Sequence, residues 1–330
     1  MRFKTAVIGA GAIAQAHLKA VEQIKKLQAV SIADIDEQRA AVTAKAFHMK
    51  AYTDYREMLS REQPDITVIT LPHFLHREAA VYCAEQGSHI LLEKPMALTV
   101  KECEEMIHAA ERNGIQLMVG HTQHYIAENI KAKELIMNNE LGQLVMVNET
   151  RHVDYFLPER PRWFLNKAEA GGEIIMNLGA HSIDKIQWLL DTHFRKVKAN
   201  LSFYSLAKSG KPCDIEGSGC IFLETVDHIP VTIAQSGYKG VSKHMTEFIF
   251  TNGMIKLETG KGLYISQNGV YEEVKVEKKT SAFERQFNDL INAIEGRKAL
   301  TCTGTYAQGI IRVIDCIYRS HNEGREIWIE

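Results

Sequence analysis

Val7-Ile8-Gly9-Ala10-Gly11-Ala12-Ile13-Ala14 is the stretch that decides how this 330-residue chain is read. The apolar run Ala6-Val7-Ile8 reads as a short strand, and Gly-x-Gly-x-x-Ala follows at once. Ile13, His17, Ala20, Val21 and Ile24 then recur at helical spacing. In that order each small residue has a task. Gly9 turns the chain tightly out of the strand, Gly11 lets backbone approach a pyrophosphate, and Ala14 keeps the helix near the sheet. The first-turn N–H groups, Ala12 and Ile13 among them, face the phosphates with the positive helix end behind them. Asp34 closes the next strand-like run, Leu27 to Ala33, and lies 23 residues past Gly11. A ribose-binding acid is expected about 20 residues on.

Working outward, strand and helix patterns alternate through the first third of the chain. Helices are expected over Glu37–Phe47, Tyr55–Arg61, His76–Gln86 and from a Thr99 cap to Asn113-Gly114, and strands at Ala51-Tyr52, Ile66–Leu71, Ile90–Leu92 and Gln116–Val119. The nearly continuous apolar run Ile66–Leu71 suits a parallel strand buried on both faces. This alternation predicts an α/β Rossmann domain, a doubly wound parallel sheet, over residues 1–122. Past Gly120 the pattern changes. A strand over Leu144–His152, an irregular Asp154–Ala170 and a helix over Glu173–Leu190 lead into six short alternating strands between Val197 and Val276. Helices over Ala282–Glu295 and Tyr306–Asn322 follow. Residues 123–330 therefore read as a second α+β domain with a large open, mainly antiparallel sheet, for substrate binding and oligomerisation. The tail Glu326–Ile329 is expected either to add an edge strand or to pack back on the first domain.

Bulk properties narrow the class. Hydrophobic residues make up 45% and charged residues 24%, enough for a large core, and the net charge of −2 gives no pull toward nucleic acid or an anionic membrane. No apolar run has spanning length, and the first strand begins too soon after Met1 to leave a signal peptide. Six scattered cysteines (83, 103, 213, 220, 302, 316) without Cys-x-x-Cys spacing fit reduced thiols in a cytoplasmic protein.

Directly after the fifth strand comes Glu93-Lys94-Pro95. Ligands of a doubly wound sheet sit beyond the carboxyl ends of its strands, which puts Lys94 where substrate would meet cofactor. A lysine at a strand end is ordinarily a solvated charge. Partial burial beside a cationic nicotinamide would disfavour the ammonium and bring it into general acid/base range. The proline stiffens the loop and leaves either peptide isomer open.

Four motifs in order, Gly9-x-Gly11-x-x-Ala14, Thr70-Leu71-Pro72-His73-x-x-His76, Glu93-Lys94-Pro95-Met96-Ala97 and Gly171-Gly172-x-x-x-x-Asn177-x-x-x-His181-x-x-Asp184, make the chain similar to the Gfo/Idh/MocA family of NAD(P)-dependent oxidoreductases. The resemblance covers most of the chain. It implies that Lys94 transfers the proton, that His181 sits beside the substrate hydroxyl, and that Leu71, Pro72 and His73 form the loop under the nicotinamide. Thr70, His76 and Glu93 would line the same groove. Many relatives carry aspartate where this chain has Asn177. Asparagine cannot take a proton but still binds a hydroxyl, so Asn177 is assigned to substrate orientation. Asn177 and His181 are four residues apart and share a helical face.

Where the family often has arginine after the sixth strand, this chain reads Gly120-His121-Thr122-Gln123-His124-Tyr125. His121 joins the expected substrate side. Arg151, His152, Asp154, Tyr155, Arg162 and Trp163 lie on or near a loop expected to roof the pocket, and the aromatic faces of Tyr155 and Trp163 suit a sugar or polyol ring. Asp34, with Asp36 and Glu37, repels a 2′-phosphate and favours NAD, while Arg39 keeps NADP open. The expected protein is thus a cytoplasmic NAD(P)-dependent dehydrogenase of a sugar, cyclitol or related polyol. It would be a homodimer or homotetramer with no nucleic-acid or membrane partner. Rival readings are a metal enzyme built on His73-x-x-His76 and His121-x-x-His124, a non-catalytic cofactor-sensing protein, and an NAD-dependent glycosidase in which hydride leaves and returns.

Overall fold

The computed structural model describes residues 2–204 and 214–330 and divides into two compact units. The first takes residues up to Thr122 together with Thr280–Gly309; the second takes Gln123–Lys279 and Ile310–Glu330.

The first unit alternates strand and helix: β1 (Phe3–Ile8), α1 (Ala12–Gln23), β2 (Leu27–Ala33), α2 (Glu37–Ala46), β3 (Lys50–Tyr52), α3 (Tyr55–Glu62), β4 (Ile66–Ile69), α4 (His76–Glu85), β5 (His89–Leu92), α5 (Val100–Arg112) and β6 (Leu117–Val119). All six strands are parallel, in the order β3-β2-β1-β4-β5-β6. The order reverses between β1 and β4, the switch point at which such sheets bind ligands. Residues of β1, β4 and β5 are almost wholly buried because helices cover both faces. Thr99 caps α5 through a reciprocal capping box with Glu102. A helix over Ala282–Ile294 also belongs to this unit, and its Phe283 and Phe287 pack edge-on against His17 of α1.

Register is what matters for function. Ile8 pairs with Ala33 and Ile69, Ile69 with Leu92, and Leu92 with Val119, so five strands end level. Backbone bonds run one residue further: Gly9 N–H to Ala33 (2.8 Å), Thr70 N–H to Ile8 (2.8 Å), Glu93 N–H to Ile69 (2.9 Å) and Gly120 N–H to Leu92 (2.6 Å). The motif residues are therefore fixed by sheet hydrogen bonds along one edge.

The second unit contains α6 (Ala127–Met137), β7 (Leu144–His152), the short α7 (Lys167–Ala170), α8 (Ala180–Leu190), β8 (Phe194–Ser202), β9 (Ser218–Thr225), β10 (Pro230–Ser236), β11 (Lys243–Phe250), β12 (Gly253–Glu258), β13 (Gly262–Ser266) and β14 (Glu272–Val274). After α9, the helix Ala282–Ile294 of the first unit, come α10 (Gly304–Glu323) and β15 (Ile327–Trp328). The nine strands run β14-β13-β12-β11-β7-β10-β9-β8-β15, antiparallel throughout except for the β7–β10 pair. Alternate residues of the central strands are buried, which gives the two-faced pattern seen in the sequence. The tail supplies the edge strand: Ile327 and Trp328 pair with Val197 and Lys196. It is residues 280–309, not the tail, that join the first unit.

Phe248 of β11 is fully buried, and truncating it opens a cavity that the sheet cannot collapse into. Phe248→Ala is expected to lower the unfolding free energy by about 3–5 kcal/mol, against about 1 kcal/mol for Thr99→Ala, both read from urea titrations.

Candidate functional site

The strand-end edge of the first unit presents a backbone geometry suited to a phosphate. Gly9 has φ of +95°, and a Cβ there would lie 2.7 Å from the Thr70 carbonyl oxygen. Only glycine fits. The Thr70 hydroxyl donates to the Gly9 carbonyl at 2.8 Å and so holds the loop it constrains. A Cβ on Gly11 would meet nothing within 4 Å, which leaves the N-terminus of α1 open. Gly11 supplies no side-chain cap, Ala12 and Ile13 are exposed, and Ala14 is fully buried against the sheet. These features fit a dinucleotide pyrophosphate.

Asp34 is fixed from three sides. Its Oδ2 accepts from the Ala10 N–H at 2.7 Å, its Oδ1 from the Asp36 N–H at 2.9 Å, and the Arg39 guanidinium stands 3.0 Å from Oδ1. A carboxylate has lone pairs to spare for ribose hydroxyls in that setting. Arg39, half exposed, spends its charge on Asp34 and Asp36, which weakens its case as a phosphate ligand.

Glu93 and Lys94 leave β5 side by side, with a cis peptide between Lys94 and Pro95. Glu93 Oε2 accepts from the Lys94 N–H at 3.2 Å, and Oε1 lies 2.8 Å from His17 Nε2. Burial opposes the charge on Glu93, but the His17 hydrogen bond and the charges of His17 and Lys94 prevail and hold its carboxyl below the usual range. The strand end thus keeps an anion next to Lys94. His17 is the residue sequence reading missed. Its spacing puts it on the apolar face of α1, and a histidine on such a face is the available signal.

His76 does not line an open groove. His76 is fully buried, with Nδ1 3.0 Å from the Pro95 carbonyl and Nε2 2.9 Å from that of Leu71, so it ties the Leu71-Pro72 loop to the Lys94-Pro95 loop. Burial pushes its pKa down despite those carbonyls. His73 is also buried, its ring centroid 5.8 Å from that of His76. His121 is buried edge-on to Tyr306 rather than presented to a substrate. Among the described residues no three His, Cys, Asp or Glu side chains converge as metal ligands. Cys83, Cys103, Cys220, Cys302 and Cys316 carry reduced thiols outside any disulfide; Cys213 lies outside the described residues.

In the second unit, the expected helix over Glu173–Leu190 begins with a π-helical turn, Ile175–Gly179, before α8. The Ala180 N–H reaches back to Ile175, so the turn is wider just where Asn177 leaves the helix. His181 sits on the first turn of α8, partly exposed. The Asn177 amide donates to the Tyr155 hydroxyl. Tyr155 is only 2% exposed, which corrects its placement as a ring facing the pocket. Arg160 covers its ring at 3.5 Å. Arg162 is exposed and Trp163 stacks on Phe164 with centroids 3.7 Å apart. Arg151 donates to the Leu178 carbonyl at 3.5 Å, bracing the π turn.

Buried charges anchor α8. Asp184 Oδ1 lies 2.6 Å from His124 Nε2, and the His124 ring stacks on Trp188. Lys185 Nζ lies 2.9 Å from Glu149 Oε2, which also accepts from Thr246 at 3.0 Å. Ser182 donates to the other Glu149 oxygen and accepts from Gln235 at 2.7 Å. Burial opposes ionisation of Glu149, yet Lys185, His244 and Ser182 together hold its carboxyl far below the usual range.

With this geometry in place the chain's kinship follows. It belongs to the Gfo/Idh/MocA family: the profile described as an oxidoreductase family with an NAD-binding Rossmann fold matches residues 3–121, and the GFO/IDH/MocA C-terminal domain matches residues 129–256. It is accordingly an NAD-dependent oxidoreductase of the class that acts on CH–OH groups. Glucose-6-phosphate 3-dehydrogenase of Bacillus subtilis is 28% identical over 238 residues, 71% of this chain and 67% of that protein. Inositol 2-dehydrogenase of Salmonella paratyphi B is 25% identical over 237 residues, with the same shares. A levoglucosan dehydrogenase solved with NADH superposes with a TM-score of 0.90 over all of both chains at 19% identity, a likeness of fold.

Two outcomes test this description. Gly9→Ala forces a Cβ onto a backbone oxygen and is expected to weaken NADH binding by about tenfold or more, near 1.4 kcal/mol, in a fluorescence titration. Lys185→Met strands Glu149 as an unpaired buried charge and should cost about 3–5 kcal/mol in urea unfolding, whereas the double variant Glu149→Leu/Lys185→Met recovers most of it.

Proposed function

We propose that this chain oxidises a secondary alcohol of a sugar, cyclitol or related polyol, or reduces the corresponding ketone, with Lys94 as general acid/base. The observation that carries the reading is Lys94 at the level strand ends, one residue past an ionised, His17-bound Glu93 and on the same edge as Gly9 and Asp34. Gly9, Gly11, Asp34 and the Thr70–His73 loop are the residues that hold the cofactor, and bound NAD supplies the hydride acceptor or donor. Lys94 Nζ takes the hydroxyl proton during oxidation and returns it during reduction. An adjacent anion stabilises the ammonium this creates. His181 orients the reacting hydroxyl and Asn177 holds a neighbouring one. The polar relatives above, acting by name on glucose 6-phosphate and inositol, support a polyhydroxylated substrate. The same reading carries a cytoplasmic homodimer or homotetramer, whose subunit number light scattering counts.

Lys94→Ala is expected to lower turnover by about 100-fold or more, the usual size of a general acid/base contribution, while NADH affinity stays near wild type. The assay is NADH formation from a panel of inositols, hexoses and sugar acids, offered with NAD and with NADP. Turnover in Lys94→Ala equal to wild type would take the proton-transfer role away from this residue.

A further inference from the structure

His17 spends its polar contact on the residue next to Lys94. Its ring is 1% exposed and lies edge-on to Phe283 and Phe287 of α9, with centroids 5.0 and 5.8 Å away. Nδ1 is buried and has no hydrogen-bond partner among the described residues. Nε2, 2.8 Å from Glu93 Oε1, is the donor, because an ionised carboxylate can only accept. A leucine or phenylalanine would fill the same apolar site without stranding a nitrogen. Packing therefore gives no reason for a histidine at this place. The bond to Glu93 does.

Glu93 in turn is held along its whole length. Its backbone N–H is tied to the Ile69 carbonyl at 2.9 Å, which fixes where it leaves β5. Oε2 accepts from the Lys94 N–H at 3.2 Å, so the carboxylate is turned back onto the residue that follows it. On the other side a Cβ at Gly120, just past β6, would lie 3.4 Å from Oε1, and glycine leaves that oxygen its room. The side chain is only 12% exposed, so water is a poor substitute for the imidazole. Take the donor away and burial, the largest influence on this acid, favours the protonated carboxyl. His17 from α1 and Lys94 beside it are the charges that act on Glu93. His76 of α4 also feels it, but spends both ring nitrogens on carbonyls, and burial lowers its pKa, so it adds no charge at neutral pH.

We infer that His17 is a positioning residue for Lys94, acting through Glu93: its Nε2 keeps the carboxylate ionised and turned onto the Lys94 backbone, so that a fixed anion accompanies the amine through proton transfer. The inference rests on the reading that Lys94 moves the hydroxyl proton. His17 itself neither gives nor takes a proton in the reaction. When Lys94 accepts the hydroxyl proton, the ammonium forms beside a negative charge already in place; when it returns the proton, that charge opposes release. The pair therefore raises the pH at which Lys94 changes form.

The test compares His17→Leu, which loses the donor, with His17→Gln, which keeps one near the position of Nε2. In His17→Leu the acid limb of the kcat/KM profile for polyol oxidation is expected to move lower by about one pH unit, a roughly tenfold change in rate on that limb. A purely structural defect scales the whole profile and leaves the limb in place. His17→Gln returns the limb toward its wild-type position, and Glu93→Gln, which leaves α1 untouched, reproduces the displacement. Should His17→Leu fail to fold, His17→Phe, closer in volume, takes its place. A second arm needs no turnover: acetylation of Lys94 by acetic anhydride is followed against pH, by mass spectrometry of the peptide that carries it. Its midpoint falls by the same amount in His17→Leu and in Glu93→Gln. A labelling midpoint unchanged in His17→Leu overturns the inference. A midpoint that moves while the kinetic limb stays put supports the coupling and removes Lys94 from proton transfer instead.

Discussion

The close approach of the Gly9 backbone to the Thr70 carbonyl is the constraint on which the cofactor half depends. A side chain at position 9 would collide with main chain, not with a side chain able to move aside. Because β1 and β4 are neighbours at the switch point, that contact also sets how far the first βα loop leans over the edge of the sheet. The open space above Gly11 and the uncapped start of α1 follow from it. So does the position of Ala10, whose N–H reaches Asp34 and joins the first βα loop to the end of β2. Sterics at a single α-carbon thus propagate into the geometry of three loops.

The second unit solves a different problem. Asn177 and His181 project from a π turn and the first turn of α8, a segment without the lateral hydrogen bonds that fix a strand end. Its orientation comes from below. Lys185 with Glu149, Asp184 with His124, and Ser182 with Gln235 clamp three residues in the first half of α8 to its surroundings. Such pairs are expensive to bury and add little net stability. What they do supply is a unique rotation of the helix, since sliding or turning it would strand charges in the core.

Those differences explain what could be read from the sequence. The parallel sheet was legible because its signals are local: apolar runs of strand length, small residues at fixed offsets and Thr99 as a cap. Asn177 and His181 were legible from their motif and spacing. The π turn was not, because one extra residue in a turn leaves the apolar periodicity almost unchanged. Nor was the burial of Tyr155, His76 and His121. Each looks like a polar pocket residue beyond a strand end, and only tertiary contacts show that its polar atoms face protein. His17 was hidden for the opposite reason, sitting on an apolar face where its partner, Glu93, is 76 residues away. The assignment of residues 280–309 to the first unit depends on contacts such as Phe287 on His17, which no local pattern announces.

Two buried glutamates of the second unit bring these threads together, because the same burial has opposite consequences for them. Glu149 is surrounded by donors and a lysine, so its folded-state carboxyl is held down; the stability it contributes is present above its ordinary value of 4.5 and drains away as pH falls below that. Among the described residues Glu173 has no cation in hydrogen-bond contact, and its carboxyl is pushed up to about 7. Below 4.5 it is protonated folded or unfolded and costs nothing, whereas between 4.5 and 7 the unfolded chain gains by ionising and the folded state loses ground. A fold gains no stability at neutral pH from an acid of the second kind.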